Sequence, residues 1–173
     1  MSLEIPQQLQ DMPANCGIYA VWMVLQHCDI ELDLQDLAKV CGYDQNDGTF
    51  SIGLAVGLKK MGFSVTFHTE DDLHKDAKEL PCYAEATRLQ IPILAPLTYQ
   101  DIQRKIEQGH WVIVYYDTLE GVGNHSLVYD INENEISFFD HFEVMTPELF
   151  ERQRKVDGIC QQAISIRREY SAL

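Results

Sequence analysis

The sequence predicts an α+β fold, and three observations carry that prediction. Apolar residues recur at helical spacing through much of the first half of the chain. Three later runs, WVIVYY, HSLVYDI and EISFFD, have the length and β-branched or aromatic content of strands. Short connections join those runs, so neighbouring strands are expected to pair antiparallel. Helices followed by an antiparallel sheet define the α+β class. The 173 residues contain no linker-like stretch and no internal repeat, so residues 1–173 are expected to form one domain with its own core.

In chain order, residues 16–28 (CGIYAVWMVLQHC) read as a helix with Asn15 as its cap, apolar on nearly all sides and therefore buried. A second helix is expected at 34–41, stopped by Gly42, and a third at about 51–61, ended by Gly62. FSVTFH (63–68) alternates like a strand. Residues 69–98 read as a loop or insertion with a short helix near 83–89, because Pro92 and Pro96 interrupt the apolar run IPILAPL. Helix 99–108 ends at Gly109 and feeds the WVIVYY strand. The loop DTLEGVGN leads to HSLVYDI, which Asn132-Glu133-Asn134 joins to EISFFD. Thr146 caps a short helix opened by Pro147, and CQQAISIR suits a closing strand.

The net charge of −14 repels phosphate backbones and anionic membrane surfaces, so nucleic acid is not an expected partner. The longest apolar run, Ile18 to Leu25, is too short to span a bilayer, which argues against membrane insertion. The N-terminus has neither the basic region nor the apolar core of a secretory signal. Five cysteines, odd in number and widely spaced, are expected to be reduced thiols in the cytoplasm, with delivery outside the cell by a non-classical route left open. No CxxC, HxxxH or HExxH spacing occurs, so no metal or cofactor is expected. Oligomeric state has no sequence signal.

Cys16 stands at the start of the buried helix, where free N–H groups and the positive end of the helix dipole favour thiolate over thiol. Gly17 after it would leave room for a substrate carbonyl. A thiolate nucleophile needs a base, and the base needs an orienting partner. His125 opens a strand directly after a loop, and Asp140 ends the next strand. If a two-residue turn at Asn132-Glu133 joins the strands, His125 lies opposite Asp140 with Cβ atoms about 5 Å apart. A turn one residue later sets Asp140 opposite Leu127, and a bulged loop pairs His125 with His141. Gln10, ahead of Cys16, could aim a neutral donor at a developing oxyanion together with the Cys16 backbone N–H.

Other candidates fit less well. His141 is a competing base, but strand alternation would turn it away from Asp140. His27 lies about 16 Å along the helix from Cys16, and His110 sits too near a helix end to place. Trp22 and Trp111 read as core, Cys28, Cys41, Cys82 and Cys160 as packing thiols, and Glu70-Asp71-Asp72 as solvated surface.

Taken together, Gln10, Cys16-Gly17, the apolar helix containing Met23, His125 and Asp140 resemble papain-like cysteine peptidases. The segment QDMPANCGIYAVWMVLQ, with GTFSIGLAVGLKKMGFSV and TYQDIQRKIEQGHWVIVYY, is most similar to bacteriocin-processing peptidases that remove double-glycine leaders, and to their free-standing relatives. The similarity runs over about residues 7–155 and is weakest at 69–98. Asn15 stands where that family has aspartate, Asn124 where glycine often precedes the histidine, and His141 where proline often follows the aspartate. The resemblance implies Cys16 as nucleophile, His125 as base, Asp140 as orienting residue and Gln10 as oxyanion donor. It also implies a peptide or protein substrate, cleaved at an amide bond through a thioester. Two alternatives are a glutamine deamidase of the bacterial effector type, using the same thioester, and a non-catalytic peptide-binding module of the same fold.

Overall fold

A computed structural model describes residues 4–118, 120–141 and 143–169. Four helices precede or flank the first strand: α1 (Gln7–Asp11), α2 (Cys16–His27), α3 (Leu34–Val40) and α4 (Ser51–Lys60). Then come β1 (Phe63–His68), α5 (Leu80–Arg88), β2 (Ile93–Leu94), α6 (Tyr99–Glu107), β3 (Trp111–Asp117), β4 (Gly123–Ile131), β5 (Ile136–Phe138), α7 (Pro147–Arg154) and β6 (Ala163–Arg168). The strands form one sheet in the order β2-β1-β6-β3-β4-β5, antiparallel except where β2 joins β1.

Period-two alternation gives the sheet two apolar faces. Phe63, Val65, Phe67, Ile113, Leu127, Ile164 and Ile166 pack against α2, α3 and α4, whereas Val112, Val114, Tyr116, Val128 and Ala163 pack against α6 and α7. Helix α2 is the deepest element: Ile18, Val21 and Val24 are wholly buried, as its uniformly apolar sequence requires. No helix among the described residues is long and apolar enough to cross a membrane.

Most of these elements lie within a residue or two of the bounds their sequence implies, with three exceptions. α1 was not expected. The 69–98 segment holds a longer helix than foreseen, together with the two-residue edge strand β2, which Pro92 and Pro96 bracket. Asn15 occupies the cap position of α2, but its amide donates to the Leu9 carbonyl (2.8 Å) instead of capping the helix, and so ties α1 to α2.

Candidate active site

The first turn of α2 and the start of β4 bring Cys16 and His125 together. The Cys16 sulfur lies 3.9 Å from His125 Nδ1 and accepts the His125 backbone N–H at 3.5 Å. His125 is only 4% exposed, and its other ring nitrogen, Nε2, sits 2.8 Å from Ser51 Oγ. Tyr115, directly across the strand pair, stacks on the imidazole with ring centres 4.4 Å apart. This stacking requires Gly123, because a side chain there would meet the Tyr115 hydroxyl at 2.1 Å.

These contacts are compatible with either tautomer, since the Ser51 hydroxyl can accept from Nε2 or donate to it. A neutral imidazole has one N–H donor and one bare acceptor. For His125 to take the thiol proton, Nδ1 must be bare and the ring proton must sit on Nε2, where Ser51 Oγ can accept it. Ser51 was not foreseen in this role. It is the first residue of α4, one position inside the helix, where its hydroxyl is not used as a cap. A buried serine at that position, with no capping duty, is the signal the sequence offered.

The structure corrects the expected place of Asp140. The β4–β5 turn spans four residues, with Ile131 paired to Ile136 and the Asn132 N–H on the Glu135 carbonyl, and the register shifts between Val128 and Asp130. Val128 therefore meets Phe138, and Asp140 accepts from Ser126 Oγ at 3.0 Å instead of facing His125. Ser126 points to the opposite sheet face from His125. There it joins the Tyr116 hydroxyl (2.8 Å) and the Asn124 amide (3.0 Å), while His141 Nε2 reaches the same Tyr116 hydroxyl at 3.1 Å. Because β5 ends at Phe138, strand alternation does not extend to residues 140 and 141.

A cavity of about 390 Å³ opens beside the sulfur, lined by Gln10, Asn15, Cys16, Tyr19, Asn124 and Asp140 among others. Gln10 is exposed on α1 and donates one amide N–H to the Ile5 carbonyl at 2.9 Å, which leaves its second N–H available. Gly17 serves packing rather than substrate access. Its missing side chain lets α2 approach Thr49 and Leu54, for a Cβ would lie 2.0 Å from Thr49 Oγ1.

Burial opposes charge on both groups, against the thiolate expected from the helix start. Burial pushes the Cys16 thiol above its ordinary value, opposed by the backbone N–H groups of His125 and Gly17 and reinforced by the Asp140 charge. Burial also drives the His125 imidazole down to about 3. The N-terminus of α4 at Ser51 acts in the same direction, because the positive end of a helix disfavours imidazolium.

The remaining candidates fall elsewhere. His27 Nδ1 bonds the Met23 carbonyl (2.8 Å) on its own helix. Trp22 is buried, and Trp111 is half-buried against Phe63. Cys28 and Cys41 are buried, Cys82 and Cys160 half-buried, and burial pushes the Cys41 thiol up to about 12. Among the described residues no group of three metal-ligating side chains converges.

A model of the Peptidase C39 family matches residues 4–138. The Lactococcin-G-processing and transport ATP-binding protein LagD of Lactococcus lactis subsp. lactis is 26% identical over 101 residues, 58% of this chain. The chain spans only 12% of the length of that relative. The crystal structure of the peptidase domain of Streptococcus ComA, a bi-functional ABC transporter involved in a quorum sensing pathway, superposes with a TM-score of 0.60. That match covers 96% of both chains at 14% identity, and so speaks to the fold alone.

Proposed function

The chain belongs to the Peptidase C39 family of papain-like cysteine peptidases, and from that premise we propose that Cys16 and His125 hydrolyse a peptide bond through a thioester. The observation that carries this reading is the 3.9 Å approach of the sulfur to an imidazole nitrogen whose opposite nitrogen is anchored. A thiol, a base and an orienter in sequence are what acyl transfer needs.

In the proposed cycle His125 Nδ1 takes the Cys16 proton as the sulfur attacks the substrate carbonyl. The negative oxygen that develops is met by the Cys16 backbone N–H and by the free N–H of Gln10. Imidazolium then protonates the leaving amine, and water attacks the thioester with His125 as base. Ser51 holds the ring in the productive tautomer. Asp140, whose charge is felt at the sulfur, supports the transient imidazolium from a distance.

LagD is named for lactococcin G processing. Carried to this chain, the substrate class is a precursor peptide that must thread an extended segment past Cys16. The test is digestion of a peptide library by the wild type and by Cys16→Ala, read by mass spectrometry. New peptide termini made by the wild type alone are expected. Cleavage that survives in Cys16→Ala refutes the nucleophile, and intact chains bearing only glutamine-to-glutamate conversion refute the peptidase reading.

A further inference from the structure

We propose that the sheet face turned away from Cys16 carries a binding pocket for a phosphate dianion, either free or as the terminal group of a small phosphate ester. Strands β1 and β6 pair Ser64 with Arg167 and Thr66 with Ser165, which sets these four side chains on one face as neighbouring cross-strand pairs. Trp111 pairs with Ile166, so the residue before β3, His110, comes to the edge of the same group, and Lys105 reaches it from α6. The six side chains line a cavity of about 220 Å³. At a liquid volume of about 30 Å³ per water that is room for about seven waters, enough for a phosphate and part of its shell.

No carboxylate lines this cavity. The chain carries a net charge of −14, yet Lys105 and Arg167 have no ion-pair partner among the described residues. Like charges gathered over one small cavity in an acidic protein repel one another, and a bound dianion would offset that cost. The guanidinium offers a planar fork matched to phosphate oxygens, and the ammonium adds a compact point charge.

His68 Nδ1 lies 3.0 Å from the Ala95 carbonyl and so carries the ring proton, which makes its Nε2 the acceptor of the Ser165 hydroxyl at 3.2 Å. Ser165 is therefore committed, and Ser64 and Thr66 are the hydroxyl donors left. His110 Nδ1 is buried without a partner, so its single proton is best used on Nε2, the remaining donor of the ring. Two cations, one imidazole and two uncommitted hydroxyls line the one cavity, a set that suits a doubly charged oxyanion better than a monovalent carboxylate.

The experiment titrates the full chain at pH 7 with sodium phosphate against sodium chloride of equal ionic strength, by calorimetry and by amide chemical shifts. Saturable binding of one phosphate per chain is expected, with shifts concentrated at 64–66, 105–110 and 165–167. Lys105→Ala combined with Arg167→Ala should weaken it by at least about tenfold, equivalent to 1.4 kcal/mol. Arg167→Gln alone, at an exposed position, should weaken it severalfold and guards against a misfolded double variant. Glycerol 3-phosphate separates the two sources: tighter binding than inorganic phosphate identifies an ester, and equal binding identifies the free ion. Absence of saturable heat, or an unchanged isotherm in both variants, overturns the proposal.

Discussion

Replacing Ser51 with alanine should slow the chemistry of Cys16 more than replacing Asp140 with asparagine. Ser51 Oγ is the hydrogen-bond partner of His125 Nε2, at 2.8 Å, in a site where the ring is 4% exposed. Its removal leaves a buried N–H without an acceptor, which costs about 1–3 kcal/mol. It also frees the ring to place its proton on Nδ1, where it faces the sulfur and cannot accept a second. At 1.36 kcal/mol per factor of ten, the expected loss is about 5- to 150-fold. Asp140 is exposed and its charge raises the Cys16 thiol, so Asp140→Asn is expected to leave alkylation unchanged or to speed it by less than about threefold, a charge effect below 1 kcal/mol. The assay is the second-order rate of Cys16 alkylation by iodoacetamide at pH 7, followed by peptide mass mapping, with thermal melts to verify folding. A larger loss in Asp140→Asn than in Ser51→Ala would refute the assignment of Ser51 as the orienting residue.

Three further outcomes follow from the same geometry. Because burial raises the thiol and lowers the imidazole, Cys16 alkylation should climb about tenfold per pH unit between about pH 6 and 8 as thiolate accumulates; a plateau already present below pH 7 would indicate a preformed ion pair. His125 falls from 6.5 to about 3 on folding, so the unfolded chain binds the proton first and stability present above pH 6.5 is lost as the pH drops. Denaturant melts should show wild type losing about 2 kcal/mol more than His125→Gln between pH 7.5 and 5, and equal losses would count against a buried neutral ring. Gly17→Ala should destabilise by about 1–3 kcal/mol in urea melts, since a Cβ would lie 2.0 Å from Thr49 Oγ1; a neutral result would mean that α2 and Thr49 separate easily.

The sequence was most legible where one local rule acted alone. Thr146 before Pro147 reads as a cap, and its hydroxyl does accept the Leu149 N–H. Gly42, Gly62 and Gly109 end their helices with positive φ, as the stop signals implied. The apolar stretch after Cys16 leaves little choice but a buried helix, and the place of Cys16 at its first turn follows. Legibility failed where competing local options differ by little. Asn15 could cap α2 or bridge to Leu9, and the sequence holds no term that chooses between them. The 69–98 segment alternates charge and proline, so its helix depends on tertiary contacts such as Ala86, which is wholly buried.

The β4–β5 hairpin illustrates why site geometry is harder to read than fold. Strand identity survives a shift of one residue, but the side-chain face does not, since one slip moves every side chain to the other side of the sheet. Here a bulge at Val128/Asp130 and a four-residue turn together send Asp140 to Ser126 and leave His125 Nε2 to Ser51. The exchange puts a neutral partner beside the ring where a charged one was expected. A carboxylate at Nε2 would stabilise the imidazolium and raise the ring's pKa; a hydroxyl contributes no charge, so desolvation depresses it. The same hairpin register therefore decides which side chain meets His125 Nε2, and leaves burial unopposed in depressing the imidazole.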